Sequence, residues 1–153
     1  MRKLTLLLVV FCLYLSGSAQ ERTVKEILET CHATIPQSQQ FNRAVTDIVT
    51  LEKALKSDPD NLEILYALGK DYFVVGIKDK SYLQNSLKIW DSYIAKSLPK
   101  KAGPGYWNRA VLKDYMNDKA GACEDLTQAK KLLKKKELDA LIVKNIEKNC
   151  TKK

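Results

Sequence analysis

The chain is 153 residues long, 45% hydrophobic and 29% charged, with a formal net charge of +8 at pH 7. That length suffices for one domain with a substantial core and requires no second domain. His32 is the only histidine, and the sequence contains no CxxC, no HExxH, no glycine-rich phosphate loop and no nucleophile elbow, which excludes these common motifs of metal sites and enzymes.

The N-terminus has the pattern of a secretory signal peptide. Arg2 and Lys3 precede an apolar run over residues 4–15, and Gly17 and Ala19 are the small residues that signal peptidase requires at its two subsites. The apolar run is shorter than the roughly 20 residues of a permanent membrane helix. We therefore expect a cleaved leader and no stable membrane span after its removal.

Residues 1–19 are interpreted as this signal peptide, with Gln20 as the first mature residue. Cys12 has no small residue beside it, which disfavours a lipoprotein anchor. Removal of the leader leaves 134 residues and lowers the formal charge from +8 to +6, because Arg2 and Lys3 are lost. The mature chain is expected to be exported, to the periplasm or the extracellular space.

The mature chain shows the three- and four-residue apolar spacing of amphipathic helices, and few stretches alternate as a strand would. Prolines and glycines fall almost entirely at breaks, which favours an all-helical fold. The predicted helices cover about 22–34, 40–56, 62–75, 82–97, a hairpin within 105–133 that turns at 117–119, and 137–150.

Two breaks between these helices are explicit in the sequence. Residues 58–61, Asp-Pro-Asp-Asn, form a predicted turn in which Asp60 or Asn61 caps the next helix. Gly76 is predicted to end that helix. Residues 98–105, with two prolines and two glycines, are the most obvious predicted loop of the chain.

Small residues mark the places where paired helices touch, since close approach of two helices needs small side chains. In the hairpin of residues 105–133, Ala110 lies on the first helix and Ala122 and Ala129 lie on the second. This stretch resembles the tetratricopeptide repeat, a 34-residue helical hairpin. Residues that match earlier copies are Leu68, Gly69 and Tyr72 in the preceding unit, and Leu51, Ala54 and Pro59 at the end of the unit before it.

The resemblance implies an all-α fold, a right-handed α-solenoid of antiparallel helix pairs. About three repeats, at roughly 22–57, 61–97 and 104–135, would make up the domain of residues 20–153. A helix at about 137–150 would cap the open apolar face of the last repeat.

The middle repeat departs from the family pattern. Gly69 and Ala110 are forty-one residues apart instead of thirty-four, so seven residues are inserted, within 77–85 and in the loop before the last repeat. Ser86, Trp90 and Tyr93 then occupy positions 20, 24 and 27 of the family's unit, where these side chains are larger than usual. Their size predicts a wider helix pair in the middle repeat.

Three cysteines remain in the mature chain, Cys31, Cys123 and Cys150, an odd number for an oxidising compartment. Cys123 lies on the second helix of the last repeat, and Cys150 lies on the apolar stripe of the cap that should pack against it. Secreted repeat proteins of the kind that this chain resembles often carry cysteines at these two places. A disulfide between Cys123 and Cys150 is therefore expected; Cys31 is interpreted as a buried free thiol, with a bridge to Cys31 as the alternative.

No catalytic, metal or cofactor site is predicted. Adjacent side chains such as Cys31 and His32 diverge by about 100° on a helix, so they cannot act together on a metal or a substrate. The run of lysines at 134–136 is interpreted as a solvated face rather than a nucleic-acid site, because no aromatic residues are interleaved with it.

The resemblance instead implies a protein-protein interaction scaffold, whose groove is lined by the first helix of each repeat. Carried over to this chain, the candidate groove consists of Tyr66, Lys70, Phe73, Trp107, Asn108, Val111, Asp114 and Tyr115. Aromatic anchors among polar groups are typical of peptide-binding grooves. The alternative is that Trp107, Tyr115 and Phe73 belong to the core.

Three functions remain open on the sequence. The favoured one is an exported adaptor that binds a peptide or protein partner in this groove. The second is a structural subunit of an envelope or secreted assembly that acts through its convex surface. The third is a basic binder of anionic ligands, which the surplus of lysines suggests.

Overall fold

The computed structural model describes residues 23–30 and 37–150, and within them the chain is helical, without a strand. The leader at residues 1–19, Cys12, Cys31 and His32 lie outside the described residues. Seven α-helices occur in the described part: α1 Val24–Thr30, α2 Gln37–Ser57, α3 Leu62–Lys78, α4 Leu83–Lys96, α5 Gly103–Tyr115, α6 Lys119–Leu132 and α7 Ala140–Cys150.

Short polar side chains cap four of the described helices, the first being α1, where the hydroxyl of Thr23 accepts a 3.3 Å hydrogen bond from the backbone N–H of Glu26. Asn61 accepts hydrogen bonds from the first backbone N–H groups of α3, at 3.1 Å from each of two donors. Asp118 does the same for α6, and Asp139 for α7. Asn117, which precedes the cap of α6, has a φ of 66°, a left-handed conformation that asparagine tolerates better than most residues. The predicted turns at 58–61 and 117–119 are therefore confirmed.

The helices pack in order along the chain. Each helix from α2 onward packs against the next, and alternate helices also touch: α1 with α3, α3 with α5, and α5 with α7. The core follows the same order, because it consists of three clusters of buried side chains. The first is shared by α1, α2 and α3, the second by α3, α4 and α5, and the third by α5, α6 and α7.

Neighbouring clusters meet through a shared helix. Helix α3 places Leu68 in the first cluster and Leu65 in the second, and α5 places Leu112 in the second and Ala110 in the third. A helix that is apolar on two sides joins its neighbours on both sides. Ala122, Leu126 and Ile146 complete the third cluster with Ala110.

The expectation of a wider middle hairpin is wrong at Gly69. The hydroxyl of Ser86 donates a 2.8 Å hydrogen bond to the carbonyl of Gly69, so α4 approaches the backbone of α3 there. A Cβ atom on Gly69 would lie 2.7 Å from the ring of Trp90. The large Trp90 side chain is accommodated because the facing residue has no side chain, and the helices do not move apart at this point.

Two predicted breaks also differ from the structure. Gly76 does not end α3, which continues to Lys78; Gly76 is buried inside the helix, where the side chain of Leu83 occupies the space of a Cβ. Residues 98–105 are only partly a loop. They contain a 3₁₀ turn, Pro99–Lys101, and the first turn of α5, in which proline is tolerated because its missing N–H would have no helical partner.

Candidate functional site

The candidate groove residues lie on two helices that pack against each other. Tyr66, Lys70 and Phe73 are on α3, and the remaining five are on α5. The rings of Phe73 and Tyr115 meet edge to face, with centroids 5.5 Å apart and an interplanar angle of 77°. The structure therefore brings one aromatic residue of each helix into direct contact.

The side of this aromatic pair is open to solvent. Tyr115 is 45% exposed and Ile77, one turn beyond Phe73 on α3, is 47% exposed. The Tyr115 hydroxyl donates to the carbonyl oxygen of Ile77 at 3.4 Å. Phe73, Ile77 and Tyr115 together form an apolar surface across the C-terminal ends of α3 and α5, which we call the α3–α5 patch.

Tyr66 belongs partly to the core. Its ring lies 5.5 Å from that of Trp90 and 6.1 Å from that of Tyr93, and both of those residues are buried. The ammonium group of Lys70 lies 5.7 Å from the centre of the Tyr66 ring, within the range of a cation–π contact. Tyr66 therefore connects the groove side of α3 to the second cluster.

Trp107 lies at the other end of α5 and is half-buried against the third cluster, against which Cys123 and Cys150 also pack. The structure thus places it among residues of α6 and α7. Trp107 and Tyr115 are on the same helix. Trp107 packs against the third cluster, however, whereas Phe73, the ring partner of Tyr115, packs against the second.

The polar candidates make contacts close to them in the chain. The side-chain amide of Asn108 donates to the carbonyl of Pro104 at 2.8 Å. Asp114 pairs with Lys119 at 2.8 Å across the α5–α6 turn. Val111 is half-buried on the same helix. Asn108 and Asp114 therefore make local contacts within α5 and the turn that follows it, and their polar groups do not converge on one point.

An ion-pair network that the sequence did not indicate connects α5 to α4 and α6. The guanidinium of Arg109 on α5 donates to both carboxylate oxygens of Asp125 on α6, at 2.8 and 2.7 Å, and to Asp91 on α4 at 2.6 Å. Lys113 also pairs with Asp125, at 2.8 Å. The hydrogen bonds to Asp125 raise the pKa of Arg109 above its ordinary value, although burial opposes that shift. This network connects three consecutive helices.

The sulfur atoms of Cys123 and Cys150 lie 2.05 Å apart, with the two Cα atoms 5.5 Å apart. This geometry agrees with the expected pairing, and the bridge connects α6 to the last residue of α7. Ile146, fully buried in the third cluster, holds the same helix by apolar contact. Helix α7 therefore closes the side of the last hairpin through one covalent and several packing contacts.

No protein-family model matches the chain, and neither a curated protein nor a solved structure matches it. Among residues 23–30 and 37–150, no helix is both long and apolar enough to cross a membrane. In the same residues no group of three or more His, Cys, Asp or Glu side chains is arranged to hold a metal ion.

Proposed function

We propose that the chain is an exported adaptor of the tetratricopeptide type, which binds a peptide or protein partner in the groove lined by α3 and α5. Its three repeats would span roughly 22–57, 61–97 and 104–135, in a right-handed solenoid that α7 caps. The contacts between alternate helices support this arrangement, because the first helices of stacked hairpins lie side by side in such folds. Buried Gly69, Ala110, Ala122 and Ala129 also support it.

Export is supported by two independent features. The N-terminal sequence has the charge, apolar run and small residues of a signal peptide. A disulfide between Cys123 and Cys150 persists most readily in an oxidising compartment outside the cytoplasm.

The observation that carries the binding proposal is the α3–α5 patch. Tyr115 is partly exposed although its ring packs on Phe73, so the ring is held in place and still presents a surface to a partner. Large side chains that are already ordered lose little conformational entropy on binding, which is why aromatic residues dominate binding hot spots. The patch includes residues of α3 and α5, which belong to two successive proposed repeats. A groove that binds a peptide along the stack has to span more than one repeat.

The test replaces Tyr115 by Ala and compares it with Leu98→Ala. Leu98 is 65% exposed and lies in the α4–α5 connection, outside the patch. Leu98→Ala should change stability little, because Leu98 is largely exposed. Tyr115→Ala should cost about 1 kcal/mol, because its ring contact with Phe73 is lost, so binding is compared on the folded variant. The full mature chain and both variants would be used as baits against the native exported fraction, and the captured partner would be titrated against each.

Tyr115→Ala should weaken binding by about 30-fold, which corresponds to roughly 2 kcal/mol. Leu98→Ala should leave the affinity unchanged. A partner that binds both variants as tightly as the unchanged chain would contradict the groove proposal and would favour a contact through the convex surface. Trp107→Ala is a less clear probe, since Trp107 packs against the third cluster and its loss should also lower stability.

A further inference from the structure

A concave surface lies near the C-terminal end of the described part of the chain. It has a volume of about 540 Å³ and lies between the end of α6, the 3₁₀ turn Lys135–Glu137 and the first two turns of α7. Cavities that bind small molecules in proteins commonly have volumes of about 300 to 1,000 Å³. The residues that line it are Lys130, Leu133, Lys135, Leu138, Ala140, Val143, Lys144 and Glu147.

Helix α7 uses two different faces. Ile142, Ile146 and Cys150 point to the third cluster and attach the helix to α5 and α6. Ala140, Val143, Lys144 and Glu147, which also recur at three- and four-residue steps, line the cavity. Val143 belongs to both sets, because it also packs against the third cluster, and the Lys130–Glu147 ion pair joins α6 to α7 within the cavity wall.

The lining divides into an apolar part and a basic part. Four of the lining residues are apolar, namely Leu133, Leu138, Ala140 and Val143. Of the three lysines, Lys130 pairs with Glu147. Lys135 and Lys144 form no ion pair with another described residue, so the cavity has two positive charges that are not neutralised within it.

We propose that this cavity binds a small amphiphilic anion, a molecule with one carboxylate on an apolar chain, such as a medium-chain fatty acid. The carboxylate would lie between Lys135 and Lys144, where charge-assisted hydrogen bonds are the strongest kind available. The alkyl chain would cover the four apolar residues. An inorganic anion would leave those residues in contact with water, and an uncharged alkyl chain would leave the two lysines without a partner.

The probe is decanoate, titrated calorimetrically against the full mature chain with its disulfide intact and below the micellar concentration of the probe. Decanoate should bind at least tenfold more tightly than decanol, because the alcohol has the same chain without the charge. Acetate should show no binding. In methyl NMR spectra the signals of Leu133, Leu138 and Val143 should shift, whereas that of Ile77 in the α3–α5 patch should not.

Matched variants separate this cavity from general basicity. Lys144→Gln should weaken decanoate binding by about three- to tenfold, whereas Lys148→Gln, which removes an exposed lysine from the same helix outside the cavity, should not. Leu138→Ala should also weaken binding. Leu141→Ala is its control, because Leu141 is 68% exposed and does not line the cavity.

Three results would overturn the proposal. Decanol could bind as tightly as decanoate, or Lys144→Gln and Lys148→Gln could have equal effects. The chain could also bind anionic vesicles or an acidic peptide while it does not bind decanoate. The proposal does not depend on the groove. The cavity, the residues replaced in the variants and the methyl groups expected to shift all lie at the opposite end of the last hairpin from the α3–α5 patch.

Discussion

Replacing Asp125 by Asn should destabilise the protein strongly, although Asp125 is a single carboxylate. The substitution keeps the size of the side chain and removes its charge. Asp125 is 3% exposed. It accepts hydrogen bonds from Arg109 and forms an ion pair with Lys113. In the variant Arg109 would keep only its ion pair with Asp91, and Lys113 would lose the carboxylate with which it pairs.

The magnitude follows from burial. Breaking a buried ion pair by removing one partner costs about 3 to 5 kcal/mol, because the other charge stays buried without compensation. The side chains of Arg109 and Lys113 are each 18% exposed, so their charged groups can regain some water. We therefore expect a cost of about 2 to 3 kcal/mol. Asp91 is 55% exposed, and Asp91→Asn should cost less than about 1 kcal/mol.

Urea unfolding of the two variants beside the unchanged chain measures this difference. With a slope of about 1 to 3 kcal/mol per M, the midpoint for Asp125→Asn should fall by about 0.7 to 3 M at an unchanged slope. Added salt should reduce the effect of Asp91→Asn more than that of Asp125→Asn, because exposed pairs are screened more strongly. Equal midpoints for the two variants would refute the argument that burial makes Asp125 the centre of the network.

Two further predictions concern the packing. Gly69→Ala should lower stability by about 1 to 3 kcal/mol, because its Cβ would lie 2.7 Å from the Trp90 ring. The cost should be smaller when Trp90 is also replaced by Leu. An equal cost in that background would contradict the explanation by close packing. Replacing both Cys123 and Cys150 by Ser should lower the free energy of unfolding by about 3 to 4 kcal/mol, since the bridge closes a loop with a sequence separation of 27. Peptide mapping without reductant checks the pairing, and a main bridge to Cys31 would contradict it.

Much of the local structure could be predicted from the sequence. The apolar spacing predicts helices, and the polar turn before Leu62 predicts the cap that Asn61 forms. The small residues Ala110 and Ala122 mark the closest contact of the last hairpin, where both are fully buried. These features depend on residues within a few positions of one another, or on the size of one side chain, and both are explicit in a sequence.

The relation between distant side chains needed the tertiary structure. Asp125 looks like any polar residue of an amphipathic helix, and only the placement of α5 beside α6 brings Arg109 and Lys113 to it. Leu112 lies two residues after Ala110 on α5, yet it packs in the second cluster with Trp90, whereas Ala110 packs in the third. One residue on a helix turns the side chain by about 100°, so a small uncertainty in orientation changes which neighbour it meets.

The candidate sites show the same division. The sequence by itself determined which aromatic and apolar side chains α3 and α5 carry, and the resemblance to the repeat family made some of them candidates for a groove. Only the tertiary structure decided that Tyr115 meets Phe73 at an exposed surface while Trp107 packs against the third cluster. The cavity beside α7 is likewise a product of three separate segments, since its shape depends on the angle at which α7 lies against α6. That angle is set by packing and by the disulfide, which act between residues far apart in the chain.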